Sequence, residues 1–414
     1  MSDLQLLGKK AKAAAVETAL YSAEKKKNIL LAMAKILRQQ TDKILKANKE
    51  DLDRAVQNQM APSLQDRLKL DEKRIESMAV ALEEIAQDTD PLGQEMERII
   101  RPNGLLIRKV RVPIGVIGVI YEARPNVTSD VAGLCLKAGN AVVLRGGKEA
   151  FSSNQAITEL LRQALREEDA NEDSVQLVTD LSRESAVGMM QMTDYLDLLI
   201  PRGGAGLIRT VVRESRVPVI QTGEGNCHLY VDRAADLSMA VSILENAKVS
   251  RPSVCNACES LLVHKEIAET FLPKAAEMLA KNGVQVFACE RALPFLPQAE
   301  LATESDFAAE YLDLKLSVKV VDSLEEAVSH IRRYGTHHSE AIITSDPLSA
   351  AKFQKEVDAA AVYWNASTRF TDGGEFGFGG EIGISTQKLH ARGPMGILAL
   401  TSYQYQIDGN GQIR

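Results

Sequence analysis

The residue whose type and setting best suit covalent chemistry is Cys255, in the sequence Arg-Pro-Ser-Val-Cys-Asn that begins at Arg251. Pro252 stiffens the chain before the thiol, and Arg251 supplies a positive charge. A thiol has an ordinary pKa of about 8.5, so a nucleophilic cysteine needs nearby positive charge or hydrogen-bond donors to become a thiolate. The segment therefore indicates a nucleophile at Cys255, while a buried, inert cysteine remains the alternative.

Cys255 also begins a Cys-Asn-Ala-Cys sequence that ends at Cys258, and this spacing allows two other interpretations. A structural zinc site needs four ligands, and no second Cys-x-x-Cys pair occurs in the chain. A thioredoxin-type pair lies where a strand leads into a helix, whereas this pair precedes the strand-like run 259–263. We therefore expect no metal site. The five cysteines of the chain predict a reduced protein without a disulfide framework.

The usual nucleotide-binding fingerprints are absent from the sequence. No Gly-x-Gly-x-x-Gly occurs, and residues 146–149 resemble the end of a P-loop without its first glycine or its final Ser or Thr. Two glycine-rich stretches remain, 202–206 and 372–380, and each is also consistent with an ordinary loop. The first follows an apolar strand and begins a helix, so its backbone N–H groups would face an anion.

Charge and composition exclude several classes of protein. The chain carries 49 Lys and Arg against 56 Asp and Glu, a formal net charge of −7, whereas a nucleic-acid binder usually has a basic surplus. No run approaches the roughly 18 continuous apolar residues that span a bilayer. Residues 1–12 also lack the apolar core and cleavage site of a signal peptide. We therefore expect a cytoplasmic protein with no nucleic-acid or membrane partner.

The elements that must position these residues change along the chain. Helical periodicity fills the N-terminal part and ends at Asp-Pro-Leu-Gly, 90–93, and residues 98–111 then predict a β-hairpin. From Val112 onward, β-branched runs alternate with amphipathic helices, which predicts parallel sheets in two βα blocks that divide near 223–225. The predicted strands are 115–121, 141–144, 175–178, 196–200, 217–220, 229–231, 261–263, 318–321, 340–344 and 360–364.

Four ungapped blocks, in order over nearly the whole chain, resemble the signatures of a single enzyme family. They are 112–128 (VPIGVIGVIYEARPNVT), 251–256 (RPSVCN), 362–374 (VYWNASTRFTDGG) and 385–396 (STQKLHARGPMG). The blocks are similar to those of the γ-glutamyl phosphate reductases, a branch of the aldehyde dehydrogenase superfamily. Long blocks in a fixed order are a specific signal.

The resemblance implies a reaction and a role for two residues. It implies reduction of L-glutamate 5-phosphate to glutamate 5-semialdehyde with NADPH and release of phosphate, the second step of proline biosynthesis. Cys255 would attack the acyl carbonyl, so that a thioester divides one difficult substitution into two easier steps. Asn126 resembles the asparagine whose amide, together with the Cys255 N–H, stabilises the oxyanion.

The resemblance also implies where the cofactor binds. Members of the superfamily hold the dinucleotide without the Gly-x-Gly-x-x-Gly fingerprint. Arg145, at the end of the predicted strand 141–144, occupies the place of a basic residue for the adenine ribose, and Lys148 would meet a 2′-phosphate. Gly203 and Gly204 match the loop beneath the pyrophosphate and the nicotinamide.

The substrate adds anionic groups, for which Arg369 and Arg392 are the candidates because guanidinium suits bidentate contact with carboxylate or phosphate. Hydrolytic members carry a water-activating glutamate where the alignment has Gln221, and Glu224 stays open as a substitute base. Two alternatives to the reductase therefore remain. One is an aldehyde dehydrogenase that forms a free acid, and the other is a catalytically silent scaffold that binds a partner.

The resemblance finally implies an α/β, aldehyde dehydrogenase-like fold with two parallel-sheet domains and a small β oligomerisation flap. The NADP(H)-binding domain would comprise 1–97 and 112–224, and the catalytic domain 225–398. The flap would comprise 98–111 and 399–414. A homo-oligomer is expected, and the glutamate 5-kinase that makes the acyl phosphate is a candidate partner.

Overall fold

The computed structural model describes residues 3–414, apart from the side chains of Pro62 and Ser63. Met1 and Ser2 of the predicted N-terminal domain lie outside the described residues. The helices are α1 (Asp3–Thr18), α2 (Ala23–Gln39), α3 (Thr41–Gln57), α4 (Pro62–Leu68), α5 (Glu72–Gln87), α6 (Asn126–Lys137), α7 (Phe151–Glu167), α8 (Arg183–Met190), α9 (Ala205–Glu214), α10 (Leu237–Val249), α11 (Lys265–Lys281), α12 (Glu304–Phe307), α13 (Leu324–Tyr334) and α14 (Pro347–Glu356). The strands are β1 (Glu95–Ile100), β2 (Leu106–Pro113), β3 (Val116–Tyr121), β4 (Ala141–Gly146), β5 (Val175–Leu177), β6 (Leu198–Arg202), β7 (Cys227–Val231), β8 (Cys258–His264), β9 (Gln285–Ala288), β10 (Glu300–Leu301), β11 (Lys315–Val321), β12 (Ser339–Ile343), β13 (Ala361–Trp364), β14 (Ile384–Ser385), β15 (Gly393–Pro394) and β16 (Thr401–Asp408).

The helices and strands form two units. The first unit contains Met1–Thr222, Gly377–Gly383 and Met395–Arg414, and the second contains Gly223–Phe376 and Ile384–Pro394. The division near 223–225 agrees with the change predicted from the sequence. Residues 377–383 and 395–398, which the sequence assigns to the catalytic domain, belong to the first unit.

The first unit is built around a parallel sheet with the strand order β5-β4-β3-β6. Every residue of β3 is buried, as expected for a parallel strand whose two faces are both covered. Tyr121 at the end of β3 is in register with Gly146 of β4 and Arg202 of β6. The segments that follow these three strands therefore leave the sheet at the same carboxyl edge, where ligands bind in open α/β sheets.

The predicted β-hairpin is confirmed, with strands that begin before residue 98 and end after residue 111. Strands β1 and β2 pair antiparallel, and β16 pairs antiparallel along the other side of β2. The result is a three-stranded sheet within the first unit, with the order β1-β2-β16. We call these three strands the flap.

The second unit contains a seven-stranded sheet with the order β10-β9-β11-β8-β7-β12-β13, in which every neighbouring pair is parallel. Strands β7 and β8 lie at its centre and are fully buried. The larger apolar core packs one face of this sheet against α10 and α11, and a smaller one packs the other face against α13 and α14. The predicted parallel-sheet α/β fold is therefore confirmed.

The predicted strand at 217–220 is wrong. In this segment only Val219 forms a β-bridge, an isolated pairing with Leu199 of β6. Pro218 has no N–H to donate to a ladder, so the run cannot continue as a regular strand. None of the helices in residues 3–414 is long and apolar enough to cross a membrane.

Candidate active site

The loop that carries Cys255 lies in the second unit, between the end of α10 and the start of β8. Cys255 is half-buried and is not in a disulfide. Its carbonyl oxygen accepts a hydrogen bond from the Sγ of Cys227, at 3.2 Å. A Cβ at Gly225 would overlap the same carbonyl oxygen, so the backbone at Cys255 requires glycine at position 225. The residues around the start of β7 thus fix the backbone of the proposed nucleophile.

Asn256 connects this loop to the segment after β13. Its side chain is buried, and its Nδ2 donates to the carbonyl oxygens of Arg369 and Thr371 at 3.2 and 2.9 Å. Its Oδ1 accepts from the Nη1 of Arg369, and its own carbonyl accepts from the hydroxyl of Thr368 at 2.7 Å. The residue after Cys255 therefore holds Arg369 against the nucleophile loop.

The guanidinium of Arg369 responds electrostatically to the nucleophile. Burial lowers the pKa of Arg369 most, and the charge of Arg251 lowers it further, while Asp372 and Cys255 oppose this shift. Positive charge beside a cysteine favours the thiolate. The sequence proposed Arg251 alone for this task, and it gave no sign that Arg369, more than a hundred residues away in sequence, also lies within electrostatic range.

Arg392 occupies different surroundings. Its Nη2 contacts the Oδ1 of Asp358 at 2.6 Å, and the Nζ of Lys388 contacts Oδ2 of the same carboxylate at 2.7 Å. Hydrogen bonds from Lys388 and then Arg392 lower the pKa of Asp358 to about 2. Arg392 thus belongs to an ion cluster around Asp358, which is partly exposed. The bond from Arg392 to Asp358 does not connect it to the Cys255 loop.

Asn126 lies in the first unit and is the first residue of α6, just after the segment that leaves β3. Its Nδ2 donates to the Oδ2 of Asp130, one turn further along the helix, at 2.9 Å. Burial raises the pKa of Asp130 to about 6, against the opposing effects of Asn126, Ser129 and Arg202. The sequence did not single out Asp130, although its spacing of four residues from Asn126 could have indicated the contact.

Arg145 and Lys148 lie at the carboxyl end of β4 in the first unit. The Nη2 of Arg145 donates to the carbonyl oxygen of Ser182 at 2.8 Å, and burial lowers the pKa of its guanidinium. Its Nε is buried and has no hydrogen-bond partner among the described residues. A buried donor without a partner is costly, so this edge suits a ligand that brings an acceptor. Lys148 is exposed at the start of a short 3₁₀ turn.

Gly203 and Gly204 lie between β6 and α9, at the same carboxyl edge. The backbone N–H of Gly204 donates to the Oε2 of Glu122 at 2.9 Å, and a Cβ at Gly203 would lie 2.5 Å from the Cδ of Glu122. A carboxylate therefore sits where the start of a helix attracts negative charge. This contact shows that the start of α9 attracts negative charge, and an anionic ligand would have to displace the carboxylate from it. It also identifies Glu122, which the sequence did not single out, as a group that such a ligand would meet.

The parallel-sheet fold and the half-buried Cys255 loop are consistent with the family that comparison with known proteins identifies. The model of the aldehyde dehydrogenase family matches residues 2–286. The chain therefore belongs to the aldehyde dehydrogenase family, as the sequence predicted. Membership of a dehydrogenase family indicates a nicotinamide cofactor.

Full-length relatives narrow this assignment. A gamma-glutamyl phosphate reductase from Moorella thermoacetica is 56% identical over 412 residues, which cover 100% of this chain and 99% of that protein. One from Clostridium perfringens is 55% identical over 413 residues and covers both chains completely. The crystal structure of a gamma-glutamyl phosphate reductase from Thermotoga maritima matches with a TM-score of 0.98 and 46% identity, over 100% of both chains. Within its family the chain is thus a member of the gamma-glutamyl phosphate reductase branch, an oxidoreductase.

Proposed function

We propose that this chain reduces L-glutamate 5-phosphate to L-glutamate 5-semialdehyde and phosphate, with NADPH as reductant and a thioester on Cys255 as intermediate. The observation that carries the proposal is the Cys255 loop, in which Asn256 holds the guanidinium of Arg369 within electrostatic range of Cys255. A nucleophile with positive charge next to it suits an acyl phosphate, because its carbonyl is electrophilic and its leaving group is anionic. The full-length relatives support the same reaction.

The first step forms the thioester. The Sγ of Cys255 attacks the acyl carbon, and a carbon–sulfur bond forms while the carbonyl oxygen becomes an oxyanion. The amide of Asn126 and the backbone N–H of Cys255 are the proposed donors to that oxyanion, and such a donor is typically worth about 10²–10³ in rate. The carbon–oxygen bond to phosphate then breaks, and phosphate leaves with the electron pair. Arg369 is proposed to bind the departing charge.

The first unit is proposed to bind the cofactor. Arg145 and Lys148 would hold the ribose and its 2′-phosphate, and the backbone at Gly203 and Gly204 would meet the pyrophosphate. When bound, NADPH supplies the hydride that reduces the acyl group, and the semialdehyde is released as the thiolate of Cys255 re-forms. The exposed ammonium of Lys148 is the group that would favour NADPH over NADH, because only NADPH carries the 2′-phosphate.

The domain roles follow from these assignments. We propose cofactor binding in 1–97 and 112–224, catalysis in 225–398, and oligomerisation of identical chains through 98–111 and 399–414. A cytoplasmic location is proposed, since five free cysteines are typical of a protein from a reducing compartment. The glutamate 5-kinase is the proposed partner, because an acyl phosphate is labile and benefits from short transfer to the next enzyme.

The decisive experiment runs the reaction in reverse. Glutamate 5-semialdehyde is oxidised with NADP⁺ or NAD⁺, with and without phosphate, by the unmodified protein and by Cys255→Ser and Cys289→Ser variants. Cys289 is the matched control because its Sγ accepts a hydrogen bond from the N–H of Val320, at 3.4 Å, which a serine hydroxyl can also do.

The proposal expects phosphate-dependent formation of reduced cofactor, faster with NADP⁺, abolished in Cys255→Ser and retained in Cys289→Ser. Turnover that does not depend on phosphate would instead support a dehydrogenase that forms the free acid. No turnover in the unmodified protein would support the catalytically silent scaffold. Equal rates with both cofactors would remove the proposed role of Lys148 and leave the reaction standing.

A further inference from the structure

The side chains of Asn126 and Asp130 form a pair on one face of α6. They are four residues apart, the spacing at which helical side chains are neighbours. The Nδ2 of Asn126 donates to the Oδ2 of Asp130 at 2.9 Å, and the hydroxyl of Ser129 lies 3.3 Å from the other carboxylate oxygen. The carboxylate of Asp130 is thus fixed by its own helix and directed at the amide.

A primary amide has two orientations of nearly equal shape and opposite hydrogen-bonding character. An ionised carboxylate can only accept hydrogen bonds, so it tolerates the N–H side of the amide and repels the oxygen side. With Asp130 ionised, the Nδ2 of Asn126 must therefore face the carboxylate. One N–H is used in that bond, and the same nitrogen keeps a second N–H for another acceptor.

The charges around Asp130 are consistent with this task. Burial raises the pKa of Asp130 to about 6, and the hydrogen bonds of Asn126 and Ser129 oppose that shift. The charge of Arg202, at the end of β6, also opposes it. Asp130 is consequently ionised at pH 8. A carboxylate close to a developing oxyanion would repel it, and the positive charge of Arg202 offsets part of that repulsion.

We propose that Asp130 is a positioning residue that fixes the amide of Asn126 with its nitrogen toward the carboxylate, so that the second N–H is ready to be donated to the oxyanion. The inference rests on the proposed function, which gives Asn126 its role as an oxyanion donor. Asp130 itself touches neither substrate nor cofactor in this account.

The test is a double-mutant cycle in the reverse reaction at pH 8, with Asn126→Ala, Asp130→Ala and the double variant. Asp130→Asn is the conservative variant, since it keeps an acceptor of the same size but can itself turn. Circular dichroism and thermal melting report whether each variant is folded. We expect Asp130→Ala to lower kcat about 10- to 100-fold, with the KM for semialdehyde and NADP⁺ within about twofold of the original.

In the Asn126→Ala background, the same Asp130 change should lower kcat by less than about twofold, because the amide it positions is gone. Asp130→Asn should recover part of kcat. Additive losses, or a loss of kcat matched by a large rise in both KM values, would overturn the positioning role and leave the oxyanion role of Asn126 intact. A normal kcat for Asn126→Ala alone would instead overturn that role, and the present inference with it. If Asp130→Ala does not fold, the same cycle is run with Asp130→Asn.

Discussion

Arg369 and Arg392 carry the same charge in different surroundings. Arg369 contacts Asn256 and interacts with Cys255, whereas Arg392 is paired with Asp358. We expect Arg369→Ala to lower kcat/KM about 10- to 150-fold, because a charged hydrogen-bond partner contributes about 1.5–3 kcal/mol and the anionic leaving group would lose it. Arg392→Ala should lower kcat/KM by less than about 10-fold.

Steady-state kinetics in the reverse direction measures both effects, and Arg369→Lys separates charge from shape. Lysine keeps the positive charge but lacks the planar guanidinium that contacts Asn256, so it should recover only part of the activity. Equal losses in the two alanine variants would show that the ion cluster at Asp358 opens to bind substrate. A normal Arg369→Ala variant would remove Arg369 from the proposed site.

His330 is buried among aromatic rings, and neither of its ring nitrogens has a hydrogen-bond partner among the described residues. Burial lowers the pKa of His330 to about 2, and the charge of the neighbouring His228 is the next largest cause. The unfolded chain takes up a proton at this residue below about pH 6.5 and the folded chain does not, so stability is lost as the pH falls through that value. The loss between pH 7.5 and pH 5 is about 2 kcal/mol.

The variant His330→Phe keeps an aromatic ring at this position and removes the group that takes up the proton. Urea unfolding at pH 7.5 and pH 5 should therefore show a smaller pH difference in this variant than in the unmodified protein. His338, whose pKa burial lowers to about 4, keeps part of the acid sensitivity in both. An undiminished difference in His330→Phe would contradict the prediction.

The sequence points to single candidate residues more readily than to their partners. Cys255, Asn126 and Arg369 lie in blocks whose composition resembles a known family. The Arg369–Asn256 bond joins residues 113 apart, and Arg392 meets Asp358 across 34 residues. Such pairs depend on which strands become neighbours, and no local pattern records that. Asp130 is the exception, because its relation to Asn126 is set by the helical repeat alone.

At the scale of elements, strands that are long and buried are the ones that the sequence predicts. Strands β3, β7 and β8 are buried along their whole length, and the apolar run in each of them is predicted as a strand. Strand β10 lies at the edge of the sheet and β9 lies next to it. They have two and four residues, so they show too little periodicity to be recognised. The false strand at 217–220 has a β-rich composition, but Pro218 prevents the ladder.

Gly225, two residues before the start of β7, allows a prediction about the position of the nucleophile loop. A Cβ at this position would overlap backbone atoms of Cys255, which cannot turn aside as a side chain can. We expect Gly225→Ala to shift the nucleophile loop and lower kcat at least about 100-fold, since misplacement by about 1 Å can have that effect. Gly188→Ala is the control, because its Cβ would meet only the flexible end of Leu4, at 3.0 Å.

Kinetics and thermal melting are measured on both glycine variants. Gly188→Ala should keep its activity and its melting temperature within a few degrees. Gly225→Ala should lose activity while it still unfolds cooperatively. Full activity in Gly225→Ala would mean that the loop can adapt without moving the thiol, and the proposed rigid placement of Cys255 would be wrong.

At the scale of the whole molecule, the chain passes between its two units after residues 222, 376, 383 and 394. The first of these passages was predictable because helical and strand patterns change there. The later ones were not, since segments 377–383 and 395–400 have no long periodic run and their assignment depends on packing. The sequence therefore predicts a boundary near residue 223, and it assigns 377–383 and 395–398 to the catalytic domain, whereas both segments belong to the first unit.

The flap presents an exposed apolar row on one face. Ile407 of β16 is in register with Ile107 of β2, which is in register with Ile99 of β1. Ile407 is 57% exposed and Ile99 is 37% exposed. Tyr405 lies on the same face as Ile407, because side chains two residues apart on a strand share a face. An apolar row of this kind on a three-stranded sheet suits burial against another copy of the chain.

We therefore predict that Ile407→Lys dissociates the oligomer, because an unpaired charge in an apolar interface costs several kcal/mol. Gln404→Lys adds the same charge on the opposite face of the same strand and should leave the assembly intact. Size-exclusion chromatography with light scattering measures the mass of each protein over a range of concentrations. A monomeric unmodified protein would contradict the oligomerisation role of the flap. Equal dissociation in both variants would mean that charge on either face disrupts the flap. The isoleucine row would then not be the specific interface.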